Sequence, residues 1–368
     1  QARPILDQFI DQVPIPRLHL IKRDDVPWKV SLLGEGAIDA GGPGRDLFTE
    51  VCMEIMNPVL SLFIDNPNKR NNDSNENQEQ LIPNPQPMTE QIKKRYFYAG
   101  VLMCLCYICK ISQPFTFARF VWNALVNRPV DIEDIYTIDS QFKDQINSFE
   151  NCGDMTPQQF ETSYPQNFQV LNSLGQIVEL IPGGANIPVT FDRRLEFVQR
   201  WKAFRVKEFN EQLEELKKGF NHFFPVEAAS LLAPWELELL ICGDNQCPVS
   251  ELKKNCDYDR SEPFFNLLWE VLEEFTPQER MLFIKFGTGR MGLPPPGMTW
   301  KDKLHLKTET VRDRPEEQFP LPTSATCSSK MTIPKYRTKE VMARKIRAAI
   351  IFGGDINLDH SSINFNEV

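Results

Sequence analysis

The 368-residue chain is poor in histidine, with only four, and that scarcity limits the chemistry it can support. A cysteine protease needs an imidazole paired with its thiol, and no such arrangement is recognisable. Cys106-x-x-Cys109 has the spacing of a zinc or redox half-site, but no second half-site follows it, so no metal is expected. Positive charge is also short. Forty-one Lys and Arg stand against 50 Asp and Glu, giving a net charge of −9. A phosphate backbone asks for a basic surface, so nucleic acid is not the expected partner, whereas an acidic surface can suit a basic protein. No uninterrupted apolar stretch approaches the roughly 20 residues that cross a bilayer, so no membrane partner is expected. The Gly-rich Gly41-Gly-Pro-Gly44 segment lacks the Lys-Ser/Thr ending of a phosphate loop and reads as a tight turn before a helix starting near Arg45. No nucleotide or other cofactor is implied. There is no signal peptide, and Gln1 in place of Met suggests a piece of a longer protein.

What is present is apolar mass and cysteine. Hydrophobic residues make up 41% of a chain long enough for two compact units. Its nine cysteines lie at irregular spacings, several inside apolar runs such as Val101-Leu-Met-Cys104-Leu-Cys106-Tyr-Ile-Cys109, where they pass as small hydrophobes. That pattern fits a reducing compartment, cytoplasmic or nuclear, better than a disulfide framework. The spacing predicts helices at 46–56, from 89 to 127, over a single long stretch 193–218, and from 225 to 286. Leu81-Ile-Pro-Asn-Pro85 reads as a short strand, and 176–181 with 187–190 as a strand pair around Gly183-Gly184. The sharpest shift in composition is Gly287-Thr-Gly289 followed by Gly292-Leu-Pro-Pro-Pro-Gly297, a natural boundary of permissive and stiff residues.

Cys327 ends the run Leu321-Pro-Thr-Ser-Ala-Thr-Cys327, which reads as an irregular loop. Met331-Thr-Ile-Pro-Lys-Tyr336 follows as an extended segment, and 338–350 as a capped amphipathic helix. A thiol presented among small hydroxyl residues suits covalent chemistry, because the thiolate is the nucleophile and must be reached. The plainer alternative is a loop cysteine with no role.

That loop, with the Pro334 segment and the Lys-rich helix after it, resembles the carboxy-terminal lobe of the HECT family of ubiquitin-protein ligases. Gly34-Glu-Gly-Ala-Ile-Asp-Ala-Gly-Gly-Pro-Gly-Arg45 resembles the family's opening Gly-rich segment. Gly184-Ala-Asn-Ile-Pro-Val-Thr190 and Glu236-Leu-Glu-Leu-Leu-Ile-Cys-Gly243 resemble two central motifs, and Phe286-Gly-Thr-Gly-Arg290 its interlobe segment. The motifs keep the family's order across nearly the whole chain. The resemblance implies an α+β, bilobal HECT fold. Residues 1–287 would form a large, mainly helical N-lobe with small sheets that binds a ubiquitin-conjugating enzyme. Gly287, Thr288, Gly289 and Arg290 would form a flexible hinge, centred on 288–290. Residues 291–368 would form a small α/β C-lobe carrying the catalytic cysteine.

The implied chemistry is two acyl transfers. Cys327 takes ubiquitin from the conjugating enzyme as a thioester, and a substrate lysine then attacks it, with no metal or nucleotide needed. Substrate recognition would lie mainly in regions upstream of this chain. Thr326 and Ser324 would donate hydrogen bonds near the thiolate or oxyanion, or simply bond within the loop. Most relatives have histidine two positions before the cysteine, where this chain has Ala325, with His305 and His360 as conceivable substitutes. Phe365, fourth from the end, would anchor the catalytic lobe. Asp359 and Glu367 read as solvated tail residues. Phe142 and Ile146, four apart on one helical face, and Phe197 would line the conjugating-enzyme groove, unless they are core residues. The competing function is a catalytically impaired HECT-like module that binds the conjugating enzyme or ubiquitin without forming a thioester.

Overall fold

The computed structural model describes residues 3–13, 15, 28, 42–72 and 76–352. Its contacts divide the chain into two compact units, the first from residues 1–25, 50–109 and 115–241, the second from 26–49, 110–114 and 242–368. The fold is α+β, mostly helical, with small sheets. Among the described residues, no helix is long and apolar enough to cross a membrane.

In the first unit, α1 (Ile5–Gln12) precedes α2 (Gly42–Ile55), whose opening turns belong to the second unit. The glycine-rich segment does not delay α2 to Arg45; Gly42, Pro43 and Gly44 form its first turn, where a proline without an N–H costs nothing. β1 (Phe63–Asp65) and β2 (Leu81–Pro83) pair antiparallel around the short α3 (Pro67–Asn71). The small strand read at Leu81 is thus present. α4 (Glu90–Cys109) is buried along Ala99–Cys106, so the Cys106–Cys109 pair is interior packing. Then come α5 (Arg119–Leu125), α6 (Ile132–Tyr136), α7 (Ser140–Asn151) and α8 (Pro157–Ser163), the last three started by side-chain caps from Asp131, Asp139 and Thr156.

Two expectations fail in this unit. The expected strand pair does not form: β3 (Gln169–Leu171) takes β4 (Ile177–Glu179) as its partner, and Gly184–Asn186 is a turn of 3-10 helix. The tight turn needed for pairing is Asn172-Ser-Leu-Gly175, where Gly175 has φ +75°. The long helix read at 193–218 is two helices, α9 (Arg194–Lys207) and α10 (Asn210–Phe220). Glu208 breaks it: its carboxylate accepts from the Ser173 backbone N–H and hydroxyl and pairs with buried Arg205 at 2.7 Å. Arg205 also reaches Asp139 at 2.7 Å, joining α9 to the cap of α7. α4 and α10 pack backbone to backbone through Gly100 and Gly219. A Cβ on Gly219 would overlap the Phe97 carbonyl, and one on Gly100 the Leu216 carbonyl. α11 (Val226–Ser230) and most of α12 (Pro234–Cys242) complete the unit; the Glu236–Gly243 motif is mainly this structural helix.

The second unit is built on a four-stranded mixed sheet. α13 (Val249–Lys254) leads into β5 (Cys256–Asp257), and α14 (Phe264–Glu274) and α15 (Pro277–Thr288) follow. β6 (Leu304–Glu309), β7 (Thr323–Ala325) and β8 (Lys330–Pro334) complete a sheet of order β5-β6-β8-β7, in which only β7 runs antiparallel to its neighbour. α16 (Lys339–Phe352) ends the described chain. Alternation along the strands sends Leu304, Leu306, Met331 and Ile333 into the core, against Phe283 and Ile284 of α15 and Met342 and Ile346 of α16. Gly287 admits this packing, since a Cβ there would meet Leu304 Cδ1 at 2.7 Å and Met331 Cε at 2.9 Å.

Candidate active site

Cys327 lies in the second unit, in the connection of a β-hairpin. Ala325 of β7 faces Lys330 of β8, which leaves residues 326–329 as the turn. Thr326, Cys327 and Ser328 form one turn of 3-10 helix, and Ser329 closes it in the left-handed region at φ 46°. The run 321–327 is therefore not wholly irregular: Thr323, Ser324 and Ala325 form an edge strand. Small β-compatible residues at an edge can pair on one side while remaining exposed. β8 is an interior strand of the sheet, paired with β6 on one side and β7 on the other, so the turn is held to the sheet by the backbone ladder.

Thr326 contributes through its carbonyl. That oxygen accepts the Ser329 backbone N–H at 3.1 Å and Arg45 Nη2 at 3.0 Å. Ser328 Oγ donates to the Ala325 carbonyl at 3.3 Å, a second bond within the turn. Ser324 is exposed on the edge strand. Ala325, Lys330, His305 and Asp257 form a row across the sheet, each opposite the next. His305 Nδ1 lies 3.1 Å from Asp257 Oδ2, and the His305 backbone N–H donates to the Ser329 carbonyl at 2.7 Å. The imidazole thus stands two strands away from position 325. Phe365, like His360, Asp359 and Glu367, lies outside the described residues.

The segment Gly287–Arg290 is tied down at each end. Gly287 and Thr288 are the last turn of α15, with the buried Thr288 hydroxyl donating to the Ile284 carbonyl at 2.8 Å. Gly289 caps the helix at φ +72°, a conformation that favours glycine, and its carbonyl accepts the Thr49 hydroxyl at 3.1 Å. Arg290 is 8% exposed, stacks over Trp300 at 5.0 Å and donates to the Asp302 carbonyl. Burial first, and the neighbouring Arg45 second, push its guanidinium down to about 10.

The eight other cysteines are in no disulfide and are all buried. Burial pushes Cys104 up to about 12 and Cys247 to about 11, and raises Cys256 as well, which makes each a poor nucleophile at neutral pH. No group of three or more His, Cys, Asp or Glu among the described residues could hold a metal ion.

The three residues expected at the conjugating-enzyme groove lie in the first unit. Phe142 and Ile146 share the inner face of α7, and Phe197 lies on α9; all three are buried. Phe142 and Phe197 meet through Trp201, at ring separations of 5.1 and 5.5 Å. Beside the outer face of α7 runs a cleft of about 400 Å³, lined by Gln141, Asp144, Gln145, Ser148, Phe149 and Tyr164. Sequence reasoning missed Arg45 as a partner of the turn. No local signal could have found a contact spanning 281 positions.

Comparison with known proteins identifies the family. A family model described as HECT-domain (ubiquitin-transferase) matches residues 49–357. The mouse (Mus musculus) E3 ubiquitin-protein ligase HERC2 is 30% identical over 336 residues, covering 90% of this chain and 7% of that protein. The human (Homo sapiens) E3 ubiquitin-protein ligase HACE1 is 27% identical over 328 residues, covering 87% of this chain and 34% of that protein. The chain thus spans a minor part of the length of either relative. It belongs to the HECT-domain ubiquitin-transferase family, which works through a cysteine thioester.

Proposed function

We propose that this chain is the catalytic module of a ubiquitin-protein ligase and that Cys327 carries the ubiquitin. The Cys327 thiolate attacks the thioester carbonyl of a ubiquitin-loaded conjugating enzyme. A new C–S bond forms, the tetrahedral oxyanion collapses, and the donor cysteine leaves as a thiolate. A substrate lysine, as the free amine, then attacks the new thioester; Cys327 departs as thiolate and the amine's proton passes to solvent. Exchange between thioesters is near energy-neutral, so the task of the protein is chiefly to position the groups. The observation that carries this reading is the placement of Cys327 in a hairpin turn while the other eight cysteines are buried.

In the same proposal, Thr326 and Ser324 support the turn and Phe365 anchors the catalytic lobe. Gly287 to Arg290 serve as the hinge between lobes 1–287 and 291–368. Rotation there requires release of the Thr49–Gly289 bond and of the packing of Phe283, Ile284 and Gly287 of α15 against Leu304, Met331 and Met342. The conjugating enzyme docks on the side of α7 and α9, with Phe142, Ile146 and Phe197 as the buried framework beneath the contact surface. The partners are the conjugating enzyme, ubiquitin, and a protein substrate selected by regions outside this chain, in the cytoplasm or nucleus.

The test is single-turnover transfer from ubiquitin-loaded conjugating enzyme, resolved without reductant. A reductant-sensitive ubiquitin adduct in the wild type that is lost in Cys327→Ala is the expected result. An adduct that survives the substitution overturns the site. Binding without any adduct, across a broad panel of conjugating enzymes, would favour the impaired module that Ala325 raises, with Ala325→His as the next variant.

A further inference from the structure

Arg45 precedes the stretch matched by the family model, and its role is not explained by helix formation. It sits in the first turn of α2, half-buried, with Nη2 3.0 Å from the Thr326 carbonyl. Its Nε is buried without a hydrogen-bond partner, as is that of Arg290. Among the described residues no carboxylate forms an ion pair with either guanidinium; Arg290 bonds to the Asp302 carbonyl and stacks on Trp300. Two cations without carboxylate partners in a partly desolvated place are costly, and a nearby anion lowers that cost. The carbonyl held by Arg45 belongs to the peptide whose nitrogen is Cys327's own. An ionised donor on that oxygen polarises the peptide and strengthens the Cys327 N–H as a donor.

We propose that Arg45 is a positioning residue for thioester transfer, fixing the turn through the Thr326 carbonyl and placing a permanent positive charge one peptide from Cys327, so that its thiolate is favoured. This rests on Cys327 being the nucleophile. Arg45's charge is felt in this region, because it helps hold the Arg290 guanidinium below its ordinary value. Position 325 is alanine, so the cation supplies locally what an imidazole there does not. Other charges on the surrounding elements are Asp46 on α2, Lys285 on α15, Lys330 on β8, and His305 paired with Asp257 across the sheet. Asp46 and Asp257 oppose the effect, and Lys285 and Lys330 act with it. Arg45 is the one bonded to the turn.

The experiment is alkylation of Cys327 by iodoacetamide across about pH 6 to 10, read by mass spectrometry on the Cys327 peptide, in the folded chain and in Arg45→Gln and Arg45→Lys. The expected wild-type midpoint lies below the ordinary thiol value of about 8.5, and Arg45→Gln raises it by roughly one unit. That shift makes alkylation about tenfold slower well below both midpoints, with the rates converging at high pH. Arg45→Lys keeps the charge and most of the low midpoint. A wild-type midpoint at or above about 8.5 overturns the proposal whether or not Arg45→Gln folds. An unchanged midpoint, with a rate lowered equally at every pH, overturns it in favour of a purely structural tie. The readout needs no ubiquitin transfer. If Cys327→Ala leaves transfer intact while the midpoint still shifts, the proposed function fails and the charge effect stands.

Discussion

Replacing Gly219 with alanine tests whether α4 and α10 are held by direct backbone contact. The added Cβ would overlap the Phe97 carbonyl oxygen and come 2.7 Å from its carbonyl carbon. Carbon atoms rest about 3.5–4.0 Å apart, so one helix must retreat by about 1 Å. A gap of that size forfeits a quarter to a half of the dispersion energy along the interface, where Leu213, Leu216 and Phe220 are buried. Overpacking typically costs about 1–3 kcal/mol, and the obstacle here is backbone that cannot rotate aside, so about 3 kcal/mol applies. Alanine returns about 1 kcal/mol of helix propensity. The net loss is about 2 kcal/mol, or a fall in Tm of about 4–8 °C for a unit of this size. Scanning calorimetry is the assay, with Gly153→Ala as control; a Cβ there meets only Arg194 Nη2, at 3.8 Å. Gly100→Ala should cost about as much as Gly219→Ala, and the double variant less than the sum, because one retreat accommodates both. A Gly219→Ala protein that melts at or above the wild-type temperature would show that propensity wins and refute the packing argument.

Two further outcomes follow from buried charge. The Asp7 carboxylate of α1 is held below its ordinary value chiefly by the hydrogen bond from Arg95 of α4, to which it lies 2.7 Å away. A depressed folded-state value means stability that is present at neutral pH and lost as pH falls from about 4 through the folded value. Asp7→Asn should remove that part of the acid sensitivity, checked by urea unfolding at neutral and acid pH; an unchanged pH dependence would rule out the pair as its source. Arg205→Met strands Asp139 and Glu208 without their shared partner and should cost about 3–5 kcal/mol in chemical unfolding, with no rescue by lysine, which cannot make the three bonds at once.

Much of the hairpin that holds Cys327 could be read locally. A Pro- and Thr-rich approach, an alternating strand and a capped helix each announce themselves within a few residues, and β8 and α16 lie where the pattern puts them. The break between α9 and α10 could not be read that way, because apolar spacing runs through Glu208 and Phe209. What stops the helix is tertiary: Glu208 bonds to Ser173, and Phe209 stacks on Phe120 at 5.3 Å. The β3–β4 hairpin was within reach, since Asn172-Ser-Leu-Gly175 is a turn signal, but Gly183-Gly184 offered a competing one. Candidate groove residues on an inner helical face look alike in sequence whether they serve a partner or the core. The burial of Phe142, Ile146 and Phe197 is a property of three separate segments meeting.

The discontinuity of the second unit has a consequence for how the protein is made. Its parts come from three stretches of chain, and the bonds joining them are long in sequence: Gln113 to Thr49, Thr49 to Gly289, and Arg45 to Thr326. Synthesis proceeds from the amino terminus, so the opening of α2 emerges more than two hundred residues before the helix cap at Gly289 and the turn at Thr326 to which it will bond. During that interval the first unit can fold, whereas the second cannot close. The turn that holds Cys327 is thus assembled only once the chain has been made through β8, and a ribosome stalled before β8 would release a chain with a folded first unit and that turn unformed.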